Sequence, residues 1–89
     1  MPLQILSEPS DPTRTAEALR RAIREQIPDA QVEVAPGGAG HFELRVTSAS
    51  FAGESRLRQQ QRVYAAIAPL LRGDAAPVHA IDRLETRTR

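Results

Sequence analysis

The chain has 89 residues, 40% apolar and 26% charged, with a formal net charge of +1. This length allows one domain with a modest core and leaves no room for two domains with a cleft between them, so functional residues are expected on surfaces and edges. The near-balanced charge excludes a global field that would drive the molecule onto nucleic acid or an anionic membrane.

Cysteine is absent, which excludes disulfides, a thiolate nucleophile and a metal site built from this chain's own sulfur. His41 and His79 remain as the borderline-soft ligands. No apolar run approaches the roughly 18 residues of a membrane span, and the first residues lack the basic end and apolar length of a signal peptide, so a cytoplasmic protein is expected. Every basic side chain is arginine, which keeps its charge and can grip carboxylates or phosphates with paired hydrogen bonds.

Residues 1–10 carry Pro2 and Pro9 without sustained periodicity and read as a loose arm ahead of a single domain over 11–89. Asp11-Pro12 reads as a helix start, since the carboxylate can accept from free amides and proline is preorganised for the first helical position. Ala16, Leu19, Ala22, Ile23 and Ile27 follow at helical spacing until Pro28-Asp29. Val32 and Val34, then Phe42, Leu44 and Val46, alternate with polar residues as in two half-buried strands joined by Pro36-Gly37-Gly38-Ala39-Gly40. If Phe42 faces the core, His41 faces away and should be accessible.

After the break at Ser48–Gly53, Leu57, Tyr64, Ile67, Ala68 and Leu71 recur at helical spacing up to Gly73. Gln60 and Gln61 interrupt that stripe, and a bend between a short and a longer helix is expected there. Val78–Leu84 reads as a last short strand whose alternation is not clean.

His41-Phe42 opening a strand, Ser48 followed by Phe51-Ala52-Gly53, Val63-Tyr64 in a helix and His79-Ala80-Ile81 near the end form an ordered set. Over roughly residues 15–85 it resembles the BolA family. Arg58-Gln59-Gln60-Gln61-Arg62 departs from the Arg-His-Arg of many BolA proteins and is similar to the Lys-Lys-Gln-Gln of IbaG-like members, as is the short Gly-rich loop. Arg83 stands where the family has an aliphatic residue, and the chain ends Thr86-Arg87-Thr88-Arg89 where the family usually has Thr-Pro-Glu.

The resemblance implies an α+β fold akin to the second class of KH domains. Its order is helix-strand-strand-helix-helix-strand, with a three-stranded mixed sheet and helices on one side. It also implies a role in iron-sulfur trafficking or iron and stress regulation, because BolA proteins share a 2Fe-2S cluster with a monothiol glutaredoxin. The partner and its glutathione supply sulfur ligands. The BolA side supplies the late histidine, here His79, and a residue of the hairpin-loop region, for which His41 is the candidate. A 2Fe-2S cluster takes four ligands, and imidazole in place of thiolate raises its potential. This chain cannot supply four, so no cofactor is expected in it alone, as a monomer or a weak homodimer.

The alternative is a helix-turn-helix-like DNA-binding regulator, a view also taken of BolA proteins. Arg56, Arg58 and Arg62 would make salt-sensitive phosphate contacts while Gln59 and Gln60 read adenine edges; the plainer reading is a solvated helix face. Gly37–Gly40 matches the GxxG spacing of KH domains but joins two strands rather than two helices. No nucleophile elbow, phosphate loop or paired carboxylates mark an enzyme, and Asp82 and Glu85 near His79 read as solvated strand-end charges.

Overall fold

The computed structural model describes residues 11–73 and 75–89. The arm expected over 1–10 lies outside them. Helix α1 spans Pro12–Gln26, and the Asp11 carboxylate caps it by accepting from the Thr13 amide at 3.0 Å. Leu19, Ile23 and Ile27 lie on its buried face, and Pro28 prevents its continuation.

Strands β1, Gln31–Pro36, and β2, His41–Ser48, pair antiparallel. A 3-10 turn at Ala49–Phe51 leads to helix α2, Arg56–Leu71, capped by the Ser55 hydroxyl accepting from the Arg58 amide at 3.1 Å. Strand β3, Ala80–Thr88, lies parallel to β2, so the mixed sheet has the order β1-β2-β3. Phe42, Leu44 and Val46 meet Leu19, Ile23, Val63 and Ile67 in one buried cluster beneath the two helices, while among the described residues no helix covers the opposite, open sheet face. Among the described residues no helix is long and apolar enough to cross a membrane.

The helical region differs from its sequence reading. No bend occurs at Gln60-Gln61: α2 runs unbroken, and the extra helical piece is the 3-10 turn before it. Leu57 and Tyr64 are exposed, whereas Gln59, Val63, Ala66 and Ile67 face inward. The buried stripe thus begins with a polar residue. Gln59 Oε1 accepts from the Thr86 hydroxyl at 2.7 Å, and its Nε2 donates to the Glu54 carbonyl at 3.0 Å, so this side chain satisfies groups the core must bury. Gln59→Ala should leave them unpaired and cost about 1–3 kcal/mol, read as a lower urea midpoint.

The last strand is longer than Val78–Leu84, pairing through Thr88, and it contains a bulge. Phe42 pairs with Ile81 but Glu43 pairs with Arg83, leaving Asp82 as the extra residue. That slip explains the irregular alternation. Without it Arg83 would stand opposite Leu44 on the core face; with it Leu84 takes that place and Arg83 turns outward. The bulge thereby keeps the Arg83 guanidinium off the core face.

On the open face, Arg45 bridges Glu33 at 3.1 Å and Glu85 at 3.2 Å across all three strands. Hydrogen bonds from Arg87 and then Arg45 hold the Glu85 carboxyl below the ordinary carboxylate range.

Asp29 ties the α1–β1 connection to the end of β2, accepting from the Ser48 hydroxyl and, at 2.9 Å, from the Ala49 amide. Those bonds, the Ser48 hydroxyl first, lower its pKa. A depressed folded-state pKa means that the contribution is complete above the unfolded carboxylate value of about 4 and is lost as pH falls through the lower folded value. Unfolding at a series of acidic pH values should show a fall in stability that is shallower in Asp29→Asn. Equal slopes would contradict this role.

Candidate functional site: a histidine corner at one end of the sheet

Parallel pairing places the starts of β2 and β3 at the same end of the sheet, and both histidines sit there. His41 is the first residue of β2 and pairs with Ala80. The His79 amide donates to the Gly40 carbonyl at 2.8 Å, and the Ala80 amide shares that acceptor at 3.2 Å. Two residues 38 positions apart in sequence are thereby fixed as neighbours by backbone bonds.

Gly40 shapes this corner. It occupies the third position of the Gly38–His41 turn, closed by the His41 amide donating to the Gly38 carbonyl at 2.9 Å, and has φ +74°, which favours glycine. The His79 side chain lies against it: a Cβ on Gly40 would stand 2.7 Å from His79 Cγ and 2.8 Å from Nδ1. This glycine therefore does more than free the hairpin loop.

His79 is exposed, and the His41 side chain, on the open face, is 43% exposed. His41 Nδ1 lies 3.0 Å from Asp82 Oδ1. Asp82 is the bulged residue of β3, and its charge is solvent-exposed, as expected of a strand-end carboxylate, but it also faces His41. The irregular alternation over 78–84 was the available signal that one residue there stands out of register. Among the described residues no group of three or more His, Asp or Glu side chains is placed to hold a metal ion. The corner thus presents two accessible imidazoles at one end of the sheet.

The arginine-rich region is divided by the fold. Arg56 and Arg58 are exposed at the start of α2. Gln59 is buried, and Gln60 donates to the Leu84 carbonyl at 3.2 Å, so both glutamines are engaged with this chain's own backbone or side chains. Arg62 pairs with Glu54 at 2.8 Å and lies 5.2 Å over the Phe51 ring. Arg56 instead shares a shallow groove beside β3 with Arg83 and Arg87.

The fold and corner define an α+β domain with a three-stranded mixed sheet, helices on one face and two histidines at one sheet end. Its sequence matches the profile of the BolA-like protein family over residues 18–89, and the chain belongs to that family. Among solved structures it is similar to a BolA protein homologue from Coxiella burnetii, with 26% identity, coverage of 81% of this chain and 87% of that one, and a TM-score of 0.65. The XC975 protein is 35% identical, with coverage of 82% and 86% and a TM-score of 0.52. The BolA domain of SufE1 from Arabidopsis thaliana shares the fold at 21% identity, with coverage of 83% and 91% and a TM-score of 0.68. No curated protein sequence gives a significant match.

Proposed function

We propose that this BolA-like protein is a non-enzymatic cytoplasmic adaptor that binds a monothiol glutaredoxin and shares or passes on a 2Fe-2S cluster as cargo. The observation that supports this most is the placement of His41 and His79 at the same end of the sheet, where the His79 amide donates to the carbonyl of Gly40, the residue before His41. Two imidazoles can complete a cluster whose sulfur ligands come from the glutaredoxin side, and incomplete ligation by this chain suits transfer better than storage. His79 is the principal ligand and His41 the second. Within the family we place the chain in the IbaG-like branch, on Arg58-Gln59-Gln60-Gln61-Arg62 and the short Gly-rich loop.

The test is a titration of the protein into cluster-loaded monothiol glutaredoxin, followed by visible circular dichroism. A new cluster spectrum that is absent with His79→Ala is expected; an unchanged glutaredoxin spectrum with no complex formed overturns the reading.

A second reading, DNA binding, draws support from Arg56, Arg83 and Arg87 around the groove beside β3 and is weakened by the internal engagement of both glutamines. Under it, Arg56→Glu with Arg58→Glu abolishes retention on DNA. Under the adaptor reading the same pair leaves the cluster spectrum intact.

A further inference from the structure

The bulge in β3 has a consequence for His41. An extra residue in a parallel pair is uncommon and interrupts the ladder, yet here it lies beside a candidate ligand. Phe42 and Ile81 pair on the core side, so His41 lies on the open face, and there the Asp82 carboxylate meets its ring at 3.0 Å. An ionised carboxylate only accepts hydrogen bonds. The bond therefore requires the proton on His41 Nδ1, and a neutral ring so protonated has its lone pair on Nε2.

Resting on the adaptor reading above, we infer that Asp82 is a positioning residue: it holds His41 as the Nδ1–H tautomer and leaves Nε2 as the nitrogen offered to iron. Ligand histidines commonly donate their second ring N–H to a carboxylate, which fixes ring orientation and strengthens the donor nitrogen. Here the Asp82 carboxylate stands in that position at 3.0 Å. Both side chains remain about half exposed, 43% for His41 and 48% for Asp82, so the ring is steered while an incoming molecule can still reach it.

The bulge also provides a variant that separates positioning from folding. Arg83 already pairs with Glu43 and Leu84 with Leu44, so deleting Asp82 joins Ile81 to Arg83 in a regular ladder. The core-facing residues beyond it keep their places. The deletion should fold as the parent does, with the hydrogen-bond partner of His41 gone.

The experiment is a set of long-range 15N–1H correlation spectra of the isolated full chain at about pH 8.5, well above the reference imidazole value. The parent should show His41 mainly as the Nδ1–H tautomer. Asp82→Ala and the deletion should return it to the Nε2–H preference of free histidine, and Asp82→Asn, whose carbonyl oxygen still accepts, should restore Nδ1–H. An Nε2–H ring in the parent, or the same tautomer in all variants, overturns the inference.

With cluster-loaded glutaredoxin, Asp82→Ala should bind about ten- to hundredfold more weakly than the parent. Equal binding by Asp82→Ala where His41→Ala is impaired would also overturn the inference. If the tautomers behave as stated but the parent forms no cluster complex, the adaptor reading fails and the assignment of Nε2 to iron falls with it, while the tautomer result identifies which of the two claims was at fault.

Discussion

Gly40→Ala should remove the cluster complex as completely as His79→Ala does, while leaving a folded protein. Two costs arise at that position. A side chain at φ +74° is strained, at about 1–2 kcal/mol for a residue in the left-handed region. The new methyl would stand 2.7 Å from His79 Cγ, closer than packed carbon atoms tolerate, so the imidazole must leave its place or the strand start must shift. His79 is exposed, and its ring can swing into solvent. The strain therefore lowers stability modestly, while the displacement moves the His79 imidazole out of its place at the corner. Thermal unfolding should give a transition lowered by several degrees, and visible circular dichroism with loaded glutaredoxin should show no new cluster spectrum. Full complex formation by this variant would contradict the assigned place of His79.

The largest loss of stability is expected for Phe51→Ala. Phe51 has no exposed surface and shares the buried cluster with Leu19, Val46, Val63 and Ile67. Truncating a core phenylalanine costs about 3–5 kcal/mol, set against a total of about 5–15 kcal/mol for a typical domain. Arg62 also loses the ring it stacks on at 5.2 Å. Urea unfolding should move to a much lower midpoint, and a change of under about 1 kcal/mol would show that the 3-10 turn can repack.

Helix α1 and the hairpin were legible in the sequence because their signals are local. Asp11-Pro12 specifies a start, the Leu19–Ile23–Ile27 spacing a buried face, and Phe42-x-Leu44-x-Val46 a strand side. The face of α2 was not, because hydrophobicity pointed to Leu57 and Tyr64 while the fold buries Gln59. That choice depends on Thr86, a residue 27 positions later whose hydroxyl needs a partner. Phe51 looked like part of a strand break for a similar reason: its burial comes from a 3-10 turn that sets the ring into the shared core beside β3.

The same division runs through the site. His41 and His79 could be named from the family pattern, but their adjacency required the parallel pairing of β2 with β3. Gly40 carried no signature that set it apart from its loop neighbours, and for Asp82 the irregular alternation over 78–84 marked a break in register without naming the residue. Their significance comes from a bulge and from a close approach between segments far apart in the chain.

The most direct measurement is pulsed electron paramagnetic resonance on the reduced mixed cluster, prepared from the 15N-labelled chain and glutaredoxin at natural abundance. Imidazole bound to iron should give a strong 15N hyperfine coupling that disappears in His79→Ala and weakens in His41→Ala. A cluster whose spectrum carries no strong coupling from the labelled chain would contradict ligation by this protein.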